Sequence, residues 1–110
     1  MMASHLKLKN LIFVIDKNNL QSLTTTKETL DLGSLVDKLS QFDLKVIELD
    51  GHDHIELCKA FIEKTDRAKV IVANTVKGKG VSFMENKVEW HYRPPNDEEY
   101  LSATVELKNA

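Results

Sequence analysis

A single cysteine, Cys58, excludes an internal disulfide and fits a reducing compartment. Long apolar runs are missing as well: nothing approaches the length of a membrane span, and the opening MMASHLKLKN has no apolar signal-peptide core. Nor does charge of one sign dominate. Fifteen basic and 17 acidic residues leave a net charge of −2, which removes the electrostatic case for nucleic acid or an anionic membrane. Only four glycines and two prolines are present, and no linker, repeat or low-complexity tract is found. The expectation is a soluble, cytoplasmic chain that binds neither nucleic acid nor membrane.

What is present is ordinary for a globular domain. The chain has 110 residues, 42% hydrophobic and 29% charged, enough for one domain with a modest core. Three short runs, LIFVID (11–16), KVIELD (45–50) and KVIVANT (69–75), are apolar and β-branched without polar alternation. That pattern predicts strands buried on both faces. Two helical segments lie between them. GSLVDKLSQF carries Leu35, Val36, Leu39 and Phe42 at helical spacing, and DHIELCKAFIEKT carries Ile55, Cys58, Phe61 and Ile62 behind an N-cap at Asp53. Cys58 is therefore expected as a packed thiol. A last helix is expected from about Asn96 to Lys108, with Glu98 and Glu99 in its first turn. The opening residues read as the tail of a helix.

Strands alternating with helices predict an α/β fold with a parallel sheet. Right-handed crossovers then place the strand ends on one edge, from which DKNNLQSLTTT and VKGKGVSFMEN both leave. Lysines alternating with glycines after a strand suit either a phosphate-facing turn or a solvated surface turn, and Walker and GxGxxG spacings are absent. Asp16, Asn18 and Asn19 offer oxygen ligands for a hard cation, or simply a strand-end turn. His52 and His54 lack the further partners of a zinc site, and His5 reads as an exposed helix residue. His91, after Trp90, is a loop histidine able to move protons.

Together, ASHLKLKNLIFVIDKNNLQ, VIELDGHD and ANTVKGKGVSFMEN followed by Trp90-His91 closely resemble the transketolases, specifically the small N-terminal subunit of split bacterial forms. The resemblance covers nearly the whole chain. It implies a partial three-layer αβα thiamine diphosphate-binding fold, with residues 1–110 as the C-terminal portion of that domain. The family's upstream GDG motif is not among these residues. By the same resemblance, Asn18 and the Leu20 carbonyl hold Mg²⁺ (or Ca²⁺), while Lys77, Gly78 and His91 face the cofactor's diphosphate, His91 also as the catalytic residue. Three departures stand out: QSLT for QIDG after Asn19-Leu20, Asn74 for a histidine, and Tyr92-Arg93 for Gly-Lys after His91.

The implied activity is transfer of a two-carbon ketol unit between sugar phosphates within a larger assembly. Its partner is a pyrimidine-domain (C-terminal transketolase) subunit, giving a homo- or hetero-oligomer. Two alternatives remain open: a truncated, catalytically inactive remnant or interaction module, and a thiamine diphosphate enzyme of the deoxyxylulose phosphate synthase type. The loop from Val76 to Arg93 is expected to order only on the cofactor, because its glycines and lysines have little to pack against otherwise.

Overall fold

In the computed structural model, which describes residues 1–109, the chain runs α1 (Met2–His5), β1 (Ile12–Lys17), α2 (Thr26–Thr29), α3 (Leu35–Ser40), β2 (Lys45–Asp50), α4 (His54–Ile62), β3 (Lys69–Asn74) and α5 (Asp97–Lys108). A 3-10 turn, Val88–His91, precedes α5. The three strands form one parallel sheet in the order β1-β3-β2, as expected for an α/β fold. The chain divides into two compact units. The first comprises Met1–Lys17 with Leu32–Thr75, the second Asn18–Asp31 with the residues from Val76 onward.

Strand β3 is central, and five of its six residues, Lys69 to Ala73, are buried. Its β-branched run is thus the one fully enclosed strand. Parallel register pairs Ile71 with Ile47 and Ala73 with Leu49, so all four side chains share one face. Leu57 and Ala60 of α4 close over that face, forming a core with Leu49, Ile71 and Ala73. Helix α4 starts where expected: the Asp53 carboxylate accepts the N–H groups of Ile55 and Glu56 at 2.8 and 3.0 Å.

Two burial expectations are corrected. Strand β1 is an edge strand, and Ile12, Phe13 and Val14 are 37%, 44% and 51% exposed, so neither face of it is enclosed. The face of α4 that packs is Leu57 and Ala60; Ile55, Phe61 and Ile62 are exposed, and so is Cys58. The helix carries two apolar stripes, and the Leu57–Ala60 stripe is the one that packs against the sheet.

Lys69 is the buried charge of this unit, 2% exposed. Its Nζ donates to the carbonyls of Ala60, Phe61 (3.2 Å) and Glu63 (2.6 Å). These acceptors lie at the C-terminal end of α4, where carbonyls lack intrahelical partners and the dipole favours a cation. The ammonium is thereby satisfied in the interior, as a buried charge must be.

Candidate functional site

The strand ends at the C-terminal edge are braced to one another. Lys17 forms an ion pair with Glu48 at 2.8 Å, and the Asn74 side-chain amide donates to Glu48 at 3.2 Å and to the Leu49 carbonyl at 3.3 Å. The Lys17 bond first, then the Asn74 bond, holds the Glu48 carboxyl below its ordinary value. The Thr75 hydroxyl donates to Asp16, and the Gly51 N–H donates to the Asn74 carbonyl at 2.8 Å. A Cβ at Gly51 would lie 2.4 Å from Thr75 Cγ2, so only glycine allows this approach. The chain leaves the first unit at Lys17 and Thr75, beyond adjoining ends of β1 and β3.

All five site residues expected from sequence, Asn18, Leu20, Lys77, Gly78 and His91, fall in the second unit. Asn18 and Leu20 share one turn. The Asn18 amide oxygen accepts the Leu20 N–H at 2.9 Å, an Asx-turn. Asn19 sits in the left-handed region (φ 61°), which Asn tolerates better than most residues. Leu20 then faces Thr25 across an antiparallel bridge whose hydrogen bonds run from Gln21 N to Thr24 O and from Thr26 N to Asn19 O. That is the non-hydrogen-bonded type of pair. Among the described residues the Leu20 carbonyl accepts no hydrogen bond and remains available. The turn ends in α2, which the sequence reading missed; its capping box joins Thr25 and Glu28.

Lys77 and Gly78 lie in a loop that closes on itself. Asn86 N–H donates to the Lys77 carbonyl at 2.9 Å, Val81 N–H to the Gly78 carbonyl at 3.1 Å, and Gly80 N–H to the Glu85 carboxylate at 3.0 Å. Gly78 (φ 73°) passes so close to Met84 that a Cβ would lie 2.7 Å from its carbonyl oxygen. Val81 is buried. The N–H groups of Lys77 and Gly78, by contrast, find no acceptor among the described residues, and Lys77 has no carboxylate partner there. Two successive N–H groups without an acceptor among the described residues thus fall in a turn whose sequence also carries Lys77 and Lys79. In this structure the loop's own polar groups close it.

His91 ends the 3-10 turn and is exposed; its ring meets Tyr92 edge-on at 4.7 Å. Trp90 is the anchor instead. Its indole N–H donates to the Phe83 carbonyl at 3.0 Å, and the Arg93 guanidinium carbon lies 4.0 Å from its ring centroid. Arg93 also grips Glu99 through both carboxylate oxygens, which holds the Glu99 carboxyl below the ordinary range. Glu99 in turn completes a capping box with Asn96 at the start of α5.

His54 opens α4 exposed, His5 is exposed on α1, and the His52 N–H donates to the Asp50 carboxylate at 2.9 Å. Among the described residues no group of three His, Cys, Asp or Glu could hold a metal, and no helix is long and apolar enough to cross a membrane. Clefts in the first unit, such as that lined by Lys45, Glu63, Thr65 and Arg67, include the N-terminal end of β2, away from the edge where parallel sheets bind ligands.

Residues 1–107 match the family model described as transketolase, thiamine diphosphate binding domain. The chain is 36% identical over 110 residues to an apulose-4-phosphate transketolase subunit of Phocaeicola vulgatus, covering 97% of this chain and 39% of that protein. It is 36% identical over 112 residues to a 6-deoxy-6-sulfo-D-fructose transketolase subunit of a Clostridium species, covering 98% and 40%. Human transketolase is 34% identical over 92 residues, 84% of this chain and 15% of that one. The fold matches the crystal structure of Campylobacter jejuni transketolase with a TM-score of 0.89 at 24% identity, over 97% of this chain and 17% of that one. The chain thus spans about two-fifths of the length of the bacterial subunits it resembles.

Proposed function

The chain belongs to the thiamine diphosphate-binding domain family of transketolases, and on that premise we propose that it holds the diphosphate and metal of this cofactor within a transketolase-type assembly. The observation that carries the reading is the pair of N–H groups at Lys77 and Gly78 without an acceptor among the described residues, in a turn that also carries two lysines. Such a turn is suited to phosphate oxygens.

The donors in the Asn18 turn suit the accompanying cation. The Asn18 amide oxygen and the Leu20 carbonyl, two residues apart, are hard oxygen ligands, and phosphate oxygens and water complete such a shell around Mg²⁺. Both are neutral, so the charge balance must come from the diphosphate and from other groups. His91, exposed on the loop that carries Lys77, is placed by the family pattern to hydrogen-bond a phosphate or a substrate oxygen. Thiamine diphosphate supplies a nucleophilic carbon and an electron sink for carbon–carbon cleavage beside a carbonyl. The substrates we assign are phosphorylated or similarly anionic sugars, exchanging a two-carbon ketol unit. The bacterial relatives are named as single subunits of transketolases, which supports a second chain, carrying the pyrimidine domain, as partner.

The test is a titration of the isotope-labelled full chain with thiamine diphosphate and Mg²⁺, followed by amide NMR. Shifts centred on Lys77, Gly78 and the Asn18 side-chain amide are expected, and they should need the metal. Shifts confined to other residues, or none at millimolar ligand, would remove the reading.

A further inference from the structure

Helix α5 carries a carboxylate where a helix least favours one. Glu106 lies in its last turn, at the negative end of the macrodipole, where an acid is normally unfavourable. Both of its oxygens are used: Oε2 accepts the Ser82 N–H and Oε1 accepts the Ser82 hydroxyl at 2.9 Å. The next residue makes a second contact with the same loop. Leu107 lies so close to Gly80 (φ 89°) that a Cβ there would be 3.0 Å from Leu107 Cδ2. Consecutive residues of α5 therefore hold neighbouring parts of the loop, and Gly80 and Ser82 flank the buried Val81.

We propose that Glu106 is a positioning residue that latches Ser82 to α5 and so keeps the Lys77–Gly80 turn formed before any anion reaches it. The loop's own bonds, from Asn86 to Lys77 and from Val81 to Gly78, close the turn but tie it to nothing outside the loop. The Glu106 carboxylate supplies that tie, from a residue 24 positions away in the chain. A turn fixed in advance loses less freedom on binding. The purpose of the latch rests on the diphosphate reading above; the latch itself does not.

Hydrogen exchange on the full chain without ligand separates the two. In Glu106→Ala the amides of Val81, Ser82, Met84 and Asn86 should exchange about tenfold faster or more, with β3 unchanged. Glu106→Gln, which keeps one acceptor oxygen, should restore part of the protection. Ser82→Ala, which removes only the hydroxyl bond, should speed the same amides by a smaller factor, and it serves if Glu106→Ala does not fold. Unchanged exchange in this loop, or a rise shared equally by β3, would overturn the proposal. Raised loop exchange in a chain whose NMR spectrum ignores thiamine diphosphate would uphold the latch and sink the cofactor reading.

Discussion

Trp90 reaches back to Phe83, its indole N–H donating to the Phe83 carbonyl at 3.0 Å while the two rings sit 5.4 Å apart. The anchor of this loop is therefore the residue before His91, and His91 is left exposed. The two neighbours should separate cleanly on mutation. His91→Ala should hardly move the melting temperature, yet in the complete assembly it should lower turnover at least about tenfold, as expected for a donor aimed at developing charge. Trp90→Ala should lower stability, because it removes both a part-buried hydrogen bond and an aromatic contact. Unchanged turnover in His91→Ala, with the assembly intact, would remove His91 from the site.

Lys69 should be costly to replace. Lys69→Met keeps much of the side-chain length but leaves the carbonyls of Ala60, Phe61 and Glu63 without their shared donor. A loss of about 2–4 kcal/mol is expected, measured as a lower midpoint in urea. A neutral substitution would mean that water replaces the ammonium at the end of α4.

Acid should weaken the fold modestly. The carboxyls of Glu48 and Glu99 are held below the ordinary 4.5, chiefly by hydrogen bonds from Lys17 and Arg93 respectively. A carboxyl whose pKa is lowered by folding contributes stability above its unfolded value, and that contribution is lost as pH falls through the lower folded value. The melting temperature should therefore decline as pH is lowered past about 4.5. Both pairs lie at the surface, so the effect should be small and should shrink in salt. Glu99→Gln should flatten part of the acid-side decline, and a pH profile identical to that of the unmodified chain would count against this assignment.

Local chemistry was legible in the sequence, and long-range pairing was not. Apolar β-branched runs marked all three strands, and Asp53 and Asn96 marked two helix starts, because each signal lies within a few residues of its effect. The order β1-β3-β2 has no such local cause. On α4 the stripe Ile55-Cys58-Ile62 and the stripe Leu57-Ala60 both have helical spacing, and only the neighbouring sheet decides which one packs. At the site, the Lys-Gly-Lys-Gly run announced a turn, whether phosphate-facing or solvated. The bonds that hold it come from Glu85, Asn86 and Glu106, and the last of these lies on a different element. An acid in the last turn of a helix, and a lysine opening an apolar strand, were the available clues to Glu106 and Lys69.

Cofactor affinity of the lone chain should be low. Asn18 and Leu20 offer a cation two neutral oxygens, and among the described residues no group of three His, Cys, Asp or Glu could hold a metal. Calorimetry should therefore show binding of thiamine diphosphate and Mg²⁺ weaker than micromolar, with addition of a pyrimidine-domain partner chain tightening it. Micromolar, metal-dependent binding by the chain alone would show that its own residues suffice.

Strand β1 is open on one side. One of its edges pairs with β3, and among the described residues no strand pairs with the other. Ile12 and Val14 on one face and Phe13 on the other are exposed, so an open strand edge coincides with apolar side chains on both sides. An unprotected edge of this kind templates pairing with another chain, and apolar surface beside it favours burial on contact. The chain should therefore self-associate, or bind a partner, along β1. Val14→Lys places a charge on this edge strand, at the most exposed of the three residues, and should shift the protein toward monomer in sedimentation velocity without lowering its helix content. A dilute, stable monomer with one cooperative melt, indifferent to Val14→Lys, would show that the edge of β1 is tolerated as it stands.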